Sequence, residues 1–389
     1  MSTTTAPIPF VLDEEHELFR ESVRNFAEAK LRAGYHARAA SDELPAEAIR
    51  LLGAQQLLGL TVPEDLGGQD ADLLALGIAC EQVARADFNL AYFIFASIIA
   101  TDLIKHNERG RELLPGLAAG ETLIAAAITE PGVGSDAANL SAFAERVPGG
   151  WRLQGEKSSI SLGPHADAAV VFARTDRAAG AGGVTAFIVD LDDTVARQRF
   201  EDPGFRPIGR GALTFEGTFV PERNRLSPEG RGFHMVMHEF DLSRPLIALM
   251  CVGLVDRALE MTVEYTRQRT AFGQPIARFQ GVAFPLAEHA TYCEMARWLG
   301  YRTLGLRMAG KPHTKEAAML KWWGPHMAVQ AIHECIVLHG HVAWSEEMPL
   351  QQMLRDASGY EIGDGTPQIQ KAVIAREMTG REFLSYPSR

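Results

Sequence analysis

The sequence predicts an α+β protein in which a helical N-terminal domain is followed by a small β-domain and then by a helical C-terminal domain. Apolar residues recur at helical spacing through the first 120 positions, and the same periodicity returns from Phe233 onward. Between these regions, beginning near Leu123, short apolar runs alternate with glycine and proline, which is typical of strands. We place the domains at residues 1–121, 122–232 and 233–389, since the chain is too long for one hydrophobic core.

The N-terminal domain contains one segment that is apolar nearly all round, residues 73–106. A helix without a polar face is expected to lie buried between other helices. In the β-domain, strands are predicted over residues 168–172, 184–189 and 213–220. A hairpin turn is predicted at residues 147–151.

Four or five long helices are predicted for the C-terminal domain. Segments with glycine and proline interrupt its helical pattern at residues 273–275, 310–312 and 344–349. Because clefts between domains are common ligand sites, we expect the catalytic site where the predicted parts meet.

The composition is that of a globular protein without a membrane-spanning segment. Hydrophobic residues make up 46% of the chain and charged residues 22%. No apolar run approaches the roughly 18 residues that a membrane span requires. Residues 1–10 lack the basic and long apolar segments of a secretory signal. We therefore expect a cytoplasmic protein that does not associate with membranes.

Net charge and cysteine spacing narrow the classes of partner. The net charge of −11 disfavours general affinity for nucleic acid, although a local basic patch could hold a phosphate-rich ligand. Cysteines occur at widely scattered positions without a CxxC pair, namely Cys80, Cys251, Cys293 and Cys335. This pattern indicates reduced core thiols rather than disulfides or a zinc site.

Two segments of the β-domain carry residues suited to a polar ligand. The segment AITEPGVGSD, residues 127–136, forms a tight glycine-containing loop whose backbone N–H groups can approach an anionic or carbonyl-rich ligand closely. In the segment GEKSSISLG, residues 155–163, strand spacing would direct Ser159 and Ser161 to one face. Taken singly, the first segment is equally an ordinary turn and the second a polar edge strand.

Two segments of the C-terminal domain add a basic and an acidic group. The segment RQRTAFGQPI, residues 267–276, places Arg269 at a helix end, where it could clamp a pyrophosphate or simply favour the helix dipole. The segment YEIGDGTPQIQ, residues 360–370, places Asp364 between two glycines before a helix. Asp364 is sterically open to a substrate there, although a turn or helix-capping aspartate fits the same pattern.

Together and in this order, the four segments resemble those of the acyl-CoA dehydrogenase family over nearly the whole chain. TEPGVGSD is similar to the family's flavin-binding loop, RQRTAFGQPI to its FAD-diphosphate segment, and GDGTPQIQ to its catalytic segment. The resemblance implies a helical N-terminal domain, a middle β-barrel and a C-terminal four-helix bundle. It also implies bound FAD and a homotetramer.

Matching positions imply the site residues. The flavin would be held by Ala127, Ile128, Thr129, Gly134, Ser135, Ser159, Ile160 and Ser161. The FAD diphosphate of a neighbouring subunit would meet Arg269, Phe272 and Gln280, and further FAD contacts would come from Gly340, Thr366 and Gln368. The substrate would meet Ser135, Phe240, Asp241, Arg244 and Gly365.

The resemblance also implies the reaction. A carboxylate removes the proton α to a thioester carbonyl while flavin N5 accepts a hydride, and Asp364 occupies the position of that carboxylate. Hydrogen bonds to the carbonyl, from a backbone N–H of the catalytic segment and a ribityl hydroxyl, would stabilise the enolate-like charge. An electron-transferring flavoprotein would receive the electrons.

The base departs from the family pattern. The usual residue is glutamate, and Asp364 reaches less far by one methylene. A displacement of about 1 Å can lower a rate roughly 10²-fold, so backbone position or a closer substrate must compensate. Some members of the family carry glutamate at the position that is Ser243 in this chain. Glu361, three residues before Asp364, stays open as an alternative base.

Two further departures enlarge the predicted site. Gly363 stands where tyrosine is frequent, and Ser159 stands where an aromatic ring is frequent. We therefore expect a branched or cyclic acyl group on CoA or a carrier protein. Aromatic side chains would close the far end of the pocket, namely Tyr92, Phe93 and Phe95.

Other chemistries are less favoured by the sequence. No metal is expected, because His333, His339 and His341 lie in a helix and its end without a carboxylate at suitable spacing. Some proteins of this fold are flavin monooxygenases that lack the base, and an aspartate in a wide pocket keeps that function open. A flavin-binding protein without turnover is disfavoured by the retained carboxylate.

Overall fold

The computed structural model describes residues 12–383, which fold into two compact units. One unit comprises residues 12–40, 72–92 and 241–383, and it is helical. The other comprises residues 41–71 and 93–240, and it contains the main β-sheet. The order of helices, strands and helices along the chain confirms the α+β prediction, whereas the boundaries of the three sequence-defined domains stay a prediction.

The helices before the sheet begin at well-formed caps. Within the described range they are α1 Glu14–Lys30, α2 Tyr35–Ala39, α3 Ala46–Ala54, α4 Leu73–Ala86, α5 Phe88–Ile104 and α6 Glu108–Ala119. The side chains of Asp13, Asp72 and Asn107 accept hydrogen bonds from the first turns of α1, α4 and α6. The apolar run forms two helices rather than one, and α4 is buried nearly all round, as predicted.

Seven strands form one sheet in the order β1-β4-β2-β3-β7-β6, with β5 paired to β4. They are β1 Ile124–Ala127, β2 Phe143–Val147, β3 Gly150–Ser161, β4 Ala168–Arg174, β5 Val184–Asp190, β6 Val195–Arg199 and β7 Arg210–Pro221. The three predicted strands are β4, β5 and β7. The predicted hairpin turn joins β2 to β3, where Val147 pairs with Gly150.

The serine-rich end of β3 contains a bulge that the sequence does not predict. The pairing register of β3 with β7 shifts between Lys157 and Ile160, and Ser159 has a left-handed φ of 62°. A bulge disturbs the simple alternation of side chains, so the expectation that Ser159 and Ser161 share one face stays a prediction. The pairing of β3 with β2 ends at Gln154, and among the described strands the serine-rich end pairs with β7 alone, which agrees with the edge-strand interpretation.

Within residues 12–383, five α-helices follow the sheet, in agreement with the prediction of four or five. They are α7 Gly232–Gln268, α8 Gln280–Met308, α9 Thr314–His339, α10 Pro349–Ile362 and α11 Pro367–Thr379. A short hairpin between α7 and α8 pairs β8 Thr270–Ala271 with β9 Gln274–Pro275. The packing is close: a methyl group at Gly77 of α4 would lie 2.8 Å from Leu249 of α7 and from Leu304 of α8.

The cysteines are core residues, as predicted. All four are buried and unpaired, and burial raises the pKa of the Cys251 thiol to about 12. Among residues 12–383, no helix combines the length and apolarity that crossing a membrane requires. Residues 1–10, in which no secretory signal was expected, lie outside the described residues.

Candidate active site

Asp364 lies in the turn between α10 and α11, with a left-handed φ of 54°. Aspartate tolerates this region better than most residues with a side chain. Ser243 Oγ, on the buried side of α7, donates a hydrogen bond of 2.9 Å to Asp364 Oδ2. Asp364 itself is half-buried. The carboxylate is thus oriented by a neighbour while part of it stays accessible.

The backbone of this turn is tied down by two side chains that the sequence analysis missed. Gln370 Nε2 donates to the carbonyl oxygens of Asp364 and Gly365, each at 3.1 Å. Lys321 Nζ donates to Tyr360 O at 2.7 Å and to Gly365 O at 3.2 Å. Lys321 could have been found by its place on an otherwise apolar helical face.

Glu361, the alternative base, makes a different contact. Its Oε1 lies 3.1 Å from His326 Nδ1. Asp364 therefore receives the Ser243 hydroxyl, and Glu361 is engaged with a histidine of α9. This difference favours Asp364 as the base.

Three predicted substrate contacts lie on α7, namely the ion pair of Asp241 with Arg244 and the apolar side chain of Phe240. Arg244 Nη1 lies 3.3 Å from Asp241 Oδ1, and Thr314 Oγ1 donates to Asp241 Oδ2 at 2.5 Å. Burial lowers the pKa of Arg244, because its desolvation outweighs the attraction of the Asp241 and Asp364 carboxylates. Phe240 packs against the hydrophobic core of the sheet-containing unit.

In the sheet-containing unit, the predicted flavin loop, residues 127–136, is held by hydrogen bonds near its start and is exposed at its tip. Buried Lys157 Nζ donates to Ile128 O at 2.9 Å and to Glu130 Oε1 at 2.8 Å. Burial lowers the pKa of Lys157 to about 8, although Glu130 opposes the shift. At the exposed tip, a methyl group on Gly134 would meet no heavy atom within 4 Å, and Ser135 is exposed.

The serine-rich segment lies beside this loop. Ser158 N donates to Thr129 O at 2.8 Å, so the structure brings together two segments that the sequence analysis singled out separately. Ile160 is buried and Ser161 is half-buried. Ser159 Oγ accepts a hydrogen bond of 2.9 Å from Arg210 Nη1, a contact that sequence reasoning did not foresee.

The remaining predicted cofactor positions in the helical unit lie near helix ends or in the hairpin between α7 and α8. Phe272 is 95% exposed in the β8–β9 hairpin, with a φ of 51°. Arg269 and Gln280 flank that hairpin and are exposed. Gly340 follows α9 with a φ of 66°. Thr366 is the N-cap residue of α11, and its side chain makes no capping hydrogen bond.

These polar groups fit FAD. Over the described range, the side chains that form no hydrogen bond include Thr129, Ser161, Arg269, Gln280, Thr366 and Gln368. A guanidinium suits a diphosphate, and hydroxyl and amide groups suit the polar edge and ribityl chain of a flavin. The structure therefore leaves free the donors that such a ligand needs.

The histidines near the end of α9 have structural contacts. His339 Nδ1 lies 2.8 Å from Cys335 O, and its ring stacks on Tyr265 at 4.4 Å between centroids. In the part of the chain that the structure describes, no three His, Cys, Asp or Glu side chains are grouped to hold a metal ion.

Comparison with known proteins identifies the family. Three family models match: the acyl-CoA dehydrogenase N-terminal domain at residues 13–121, the middle domain at 125–218 and the C-terminal domain at 230–379. The chain is 34% identical over 380 residues to a mitochondrial isovaleryl-CoA dehydrogenase of Oryza sativa subsp. japonica. This alignment covers 96% of this chain and 93% of the relative.

Two solved structures are similar over nearly their full length. Butyryl-CoA dehydrogenase from Megasphaera elsdenii superimposes with a TM-score of 0.90 at 30% identity, covering 95% of this chain and 99% of that one. The prolyl acyl carrier protein oxidase AnaB does so with a TM-score of 0.91 at 28% identity, covering 95% and 100%. This chain therefore belongs to the acyl-CoA dehydrogenase family and is an FAD-dependent oxidoreductase.

Proposed function

We propose that this enzyme introduces an α,β double bond into a compact, branched or cyclic acyl thioester, with Asp364 as the base. The observation that carries the proposal is the hydrogen bond from Ser243 Oγ to Asp364 Oδ2. A carboxylate is kept in the family's catalytic segment and is oriented there, despite being one methylene shorter. When bound, FAD accepts the hydride that leaves the β-carbon.

The protein's own groups have distinct parts in this proposal. Asp364 removes the α-proton, and Ser243 holds the carboxylate in one orientation. The N–H groups of Gly365 and Thr366 form no backbone hydrogen bond within residues 12–383. They are available to the thioester carbonyl, on which negative charge develops as the proton leaves.

The preference for a compact, wide acyl group is supported by Gly363. Its φ of −61° and ψ of 160° suit any residue, and a methyl group there would meet only Gly359 O, at 3.5 Å. The backbone therefore does not require glycine, and the missing side chain leaves space beside the base. We propose that Tyr92, Phe93 and Phe95 of α5 close the far end of the pocket.

The thioester carrier and the assembly are also proposals. The likeness to AnaB supports an acyl carrier protein beside CoA as the carrier of the acyl group. We propose a homotetramer in which Arg269, Phe272 and Gln280 meet the FAD of a neighbouring subunit. All three are exposed, and they lie in or next to the segment that contains the β8–β9 hairpin. An electron-transferring flavoprotein would accept the electrons, and a cytoplasmic location stays a prediction.

Anaerobic flavin reduction tests the proposal. FAD-loaded wild type, Asp364→Asn and Asp364→Glu are mixed with isovaleryl-CoA, butyryl-CoA, cyclohexanecarbonyl-CoA, palmitoyl-CoA and isovaleryl-loaded carrier protein. Branched or cyclic acyl groups should bleach the wild-type flavin fastest, and Asp364→Asn should retain FAD without bleaching. Bleaching by Asp364→Asn at the wild-type rate would contradict the base, and highest efficiency on palmitoyl-CoA would contradict the acyl class.

The same experiment separates dehydrogenation from the monooxygenase alternative. A dehydrogenase bleaches without oxygen on addition of its substrate. Oxygen consumption that depends on an added reductant, without anaerobic bleaching by any thioester, would identify a monooxygenase instead.

A further inference from the structure

Lys321 is a cation in the interior of the helical unit. It is fully buried on α9, on the face that also carries Ala317, Gly324 and Ala328. Its ammonium donates to two backbone carbonyls, and no carboxylate of the described residues forms an ion pair with it. A buried charge without such a partner is unfavourable for folding, so its presence calls for a role.

The two carbonyls lie on either side of Asp364. Tyr360 O belongs to the last turn of α10, where helix carbonyls lack partners within the helix, and a cation there also suits the helix dipole. Gly365 O follows Asp364 directly. One ammonium group thereby links the end of α10 to the backbone beyond the base.

The turn between these carbonyls needs such a link. Asp364 has a φ of 54° and Gly365 a φ of 93°, and consecutive left-handed residues persist only where their surroundings hold them. Gln370 contributes a second link through its bonds to Asp364 O and Gly365 O. Lys321 adds what Gln370 cannot, namely a positive charge near the carboxylate.

The electrostatic surroundings of Lys321 are mixed. Burial lowers the pKa of Lys321 to about 8, and Arg244 of α7 acts in the same direction. The carboxylates of Asp364 and Glu361 and the thiol of Cys251 oppose the shift. At neutral pH the ammonium form of Lys321 therefore predominates.

We propose that Lys321 is a positioning residue for the Asp364 base, because it fixes the left-handed turn through the carbonyls of Tyr360 and Gly365. This inference rests on the proposed role of Asp364. It explains how a base that is one methylene short can be used, since the backbone under the shorter side chain is held in place.

The test compares FAD-loaded Lys321→Met with FAD-loaded Tyr35→Phe. Methionine fills a similar volume without the charge or the donors. Tyr35 provides a matched control, because its buried hydroxyl donates to Asp356 Oδ2 of α10 at 2.8 Å and does not contact the turn. Each protein is assayed for the rate of anaerobic bleaching at a series of substrate concentrations, using the thioester that bleaches wild type fastest, and for backbone hydrogen–deuterium exchange.

Lys321→Met should lower the bleaching rate roughly 10²-fold, while the substrate concentration at half-maximal rate changes little. Deuterium uptake should rise in peptides that cover residues 360–370. Tyr35→Phe should lower the melting temperature without these changes.

The outcomes distinguish this inference from the proposed function. A wild-type rate and exchange pattern in Lys321→Met would overturn the positioning role, even if Asp364→Asn is inactive. A rate loss without the local rise in exchange over residues 360–370 would also overturn it, since a general structural effect suffices for that result. If Asp364→Asn bleaches like wild type, the base assignment itself fails.

Discussion

Ser243 Oγ lies 2.9 Å from Asp364 Oδ2, so a hydroxyl of α7 orients a carboxylate that follows α10. The contact joins positions 121 residues apart in the sequence. By the resemblance to the family, Ser243 also occupies a position at which some members carry glutamate, and this position lies within hydrogen-bond distance of Asp364, the proposed base.

Ser243→Ala should lower the rate of flavin reduction about tenfold. A hydrogen bond to a charged group contributes about 1.5 kcal/mol or more, which corresponds to that factor in rate. Stopped-flow bleaching measures the effect. Ser358→Ala is the control, since Ser358 Oγ donates only to Arg355 O within α10; equal rates in both variants would argue against a role for Ser243.

Gly365→Ala should damage the catalytic turn, whereas Gly363→Ala should leave the melting temperature unchanged. At Gly365 the φ is 93° and a methyl group would lie 2.5 Å from Gln370 Nε2. Forcing alanine into such a conformation costs roughly 1–3 kcal/mol, and Gln370 must also move. Differential scanning fluorimetry of both FAD-loaded variants checks this, and equal melting temperatures would contradict it.

Gly363→Tyr should reverse the preference for wide acyl groups. A ring placed in the space beside Asp364 would obstruct a branch or a cycle more than a straight chain. Selectivity from steric fit spans roughly 10–200-fold, so the ratio of kcat/KM for isovaleryl-CoA over butyryl-CoA should fall by about tenfold. An unchanged ratio would show that position 363 does not border the acyl group.

Between pH 8 and pH 10, the free energy of unfolding of wild type should rise relative to that of Lys157→Met. Burial lowers the Lys157 pKa from 10.5 to about 8, so the folded protein releases this proton before the unfolded chain does. Where the unfolded chain binds more protons, stability rises with pH, here by up to roughly 3 kcal/mol. Below pH 8 both states are protonated and the difference should be constant.

Melting temperatures of the two proteins at pH 7, 8, 9 and 10 provide this measurement. Other groups titrate in the same range, but they are present in both proteins and cancel in the difference. A wild-type melting temperature that stays constant or falls relative to that of Lys157→Met above pH 8 would contradict the depressed pKa of Lys157.

Much of the fold could be predicted because its elements carry local signals. Apolar periodicity located the long helices, and β-rich runs between turn residues located β4, β5 and β7. The end of β3 could not be predicted, because the bulge at Ser159 depends on pairing with β7 rather than on its own side chains. Strand register is set by the pairing of two strands, so the sequence of one strand does not reveal it.

The candidate site could be predicted only where a motif is contiguous. Asp364, Thr129 and Ser161 lie in such motifs. Lys321 acts on carbonyls 39 and 44 residues away, and Arg210 reaches Ser159 from a distance of 51 residues. Contacts of this kind arise from tertiary packing, and of the two only Lys321 leaves a sequence signal, namely a charge on an otherwise apolar helical face.

The ammonium of Lys321 binds main-chain oxygens and no side chain of the turn that it supports. These backbone contacts of the turn therefore do not depend on which side chain residue 363 carries, and Gly363 has a φ and ψ that any residue adopts. Position 363 can be exchanged, by natural drift or by design, while the backbone keeps its course. Position 364 is more restricted, because its left-handed φ of 54° suits aspartate better than most residues.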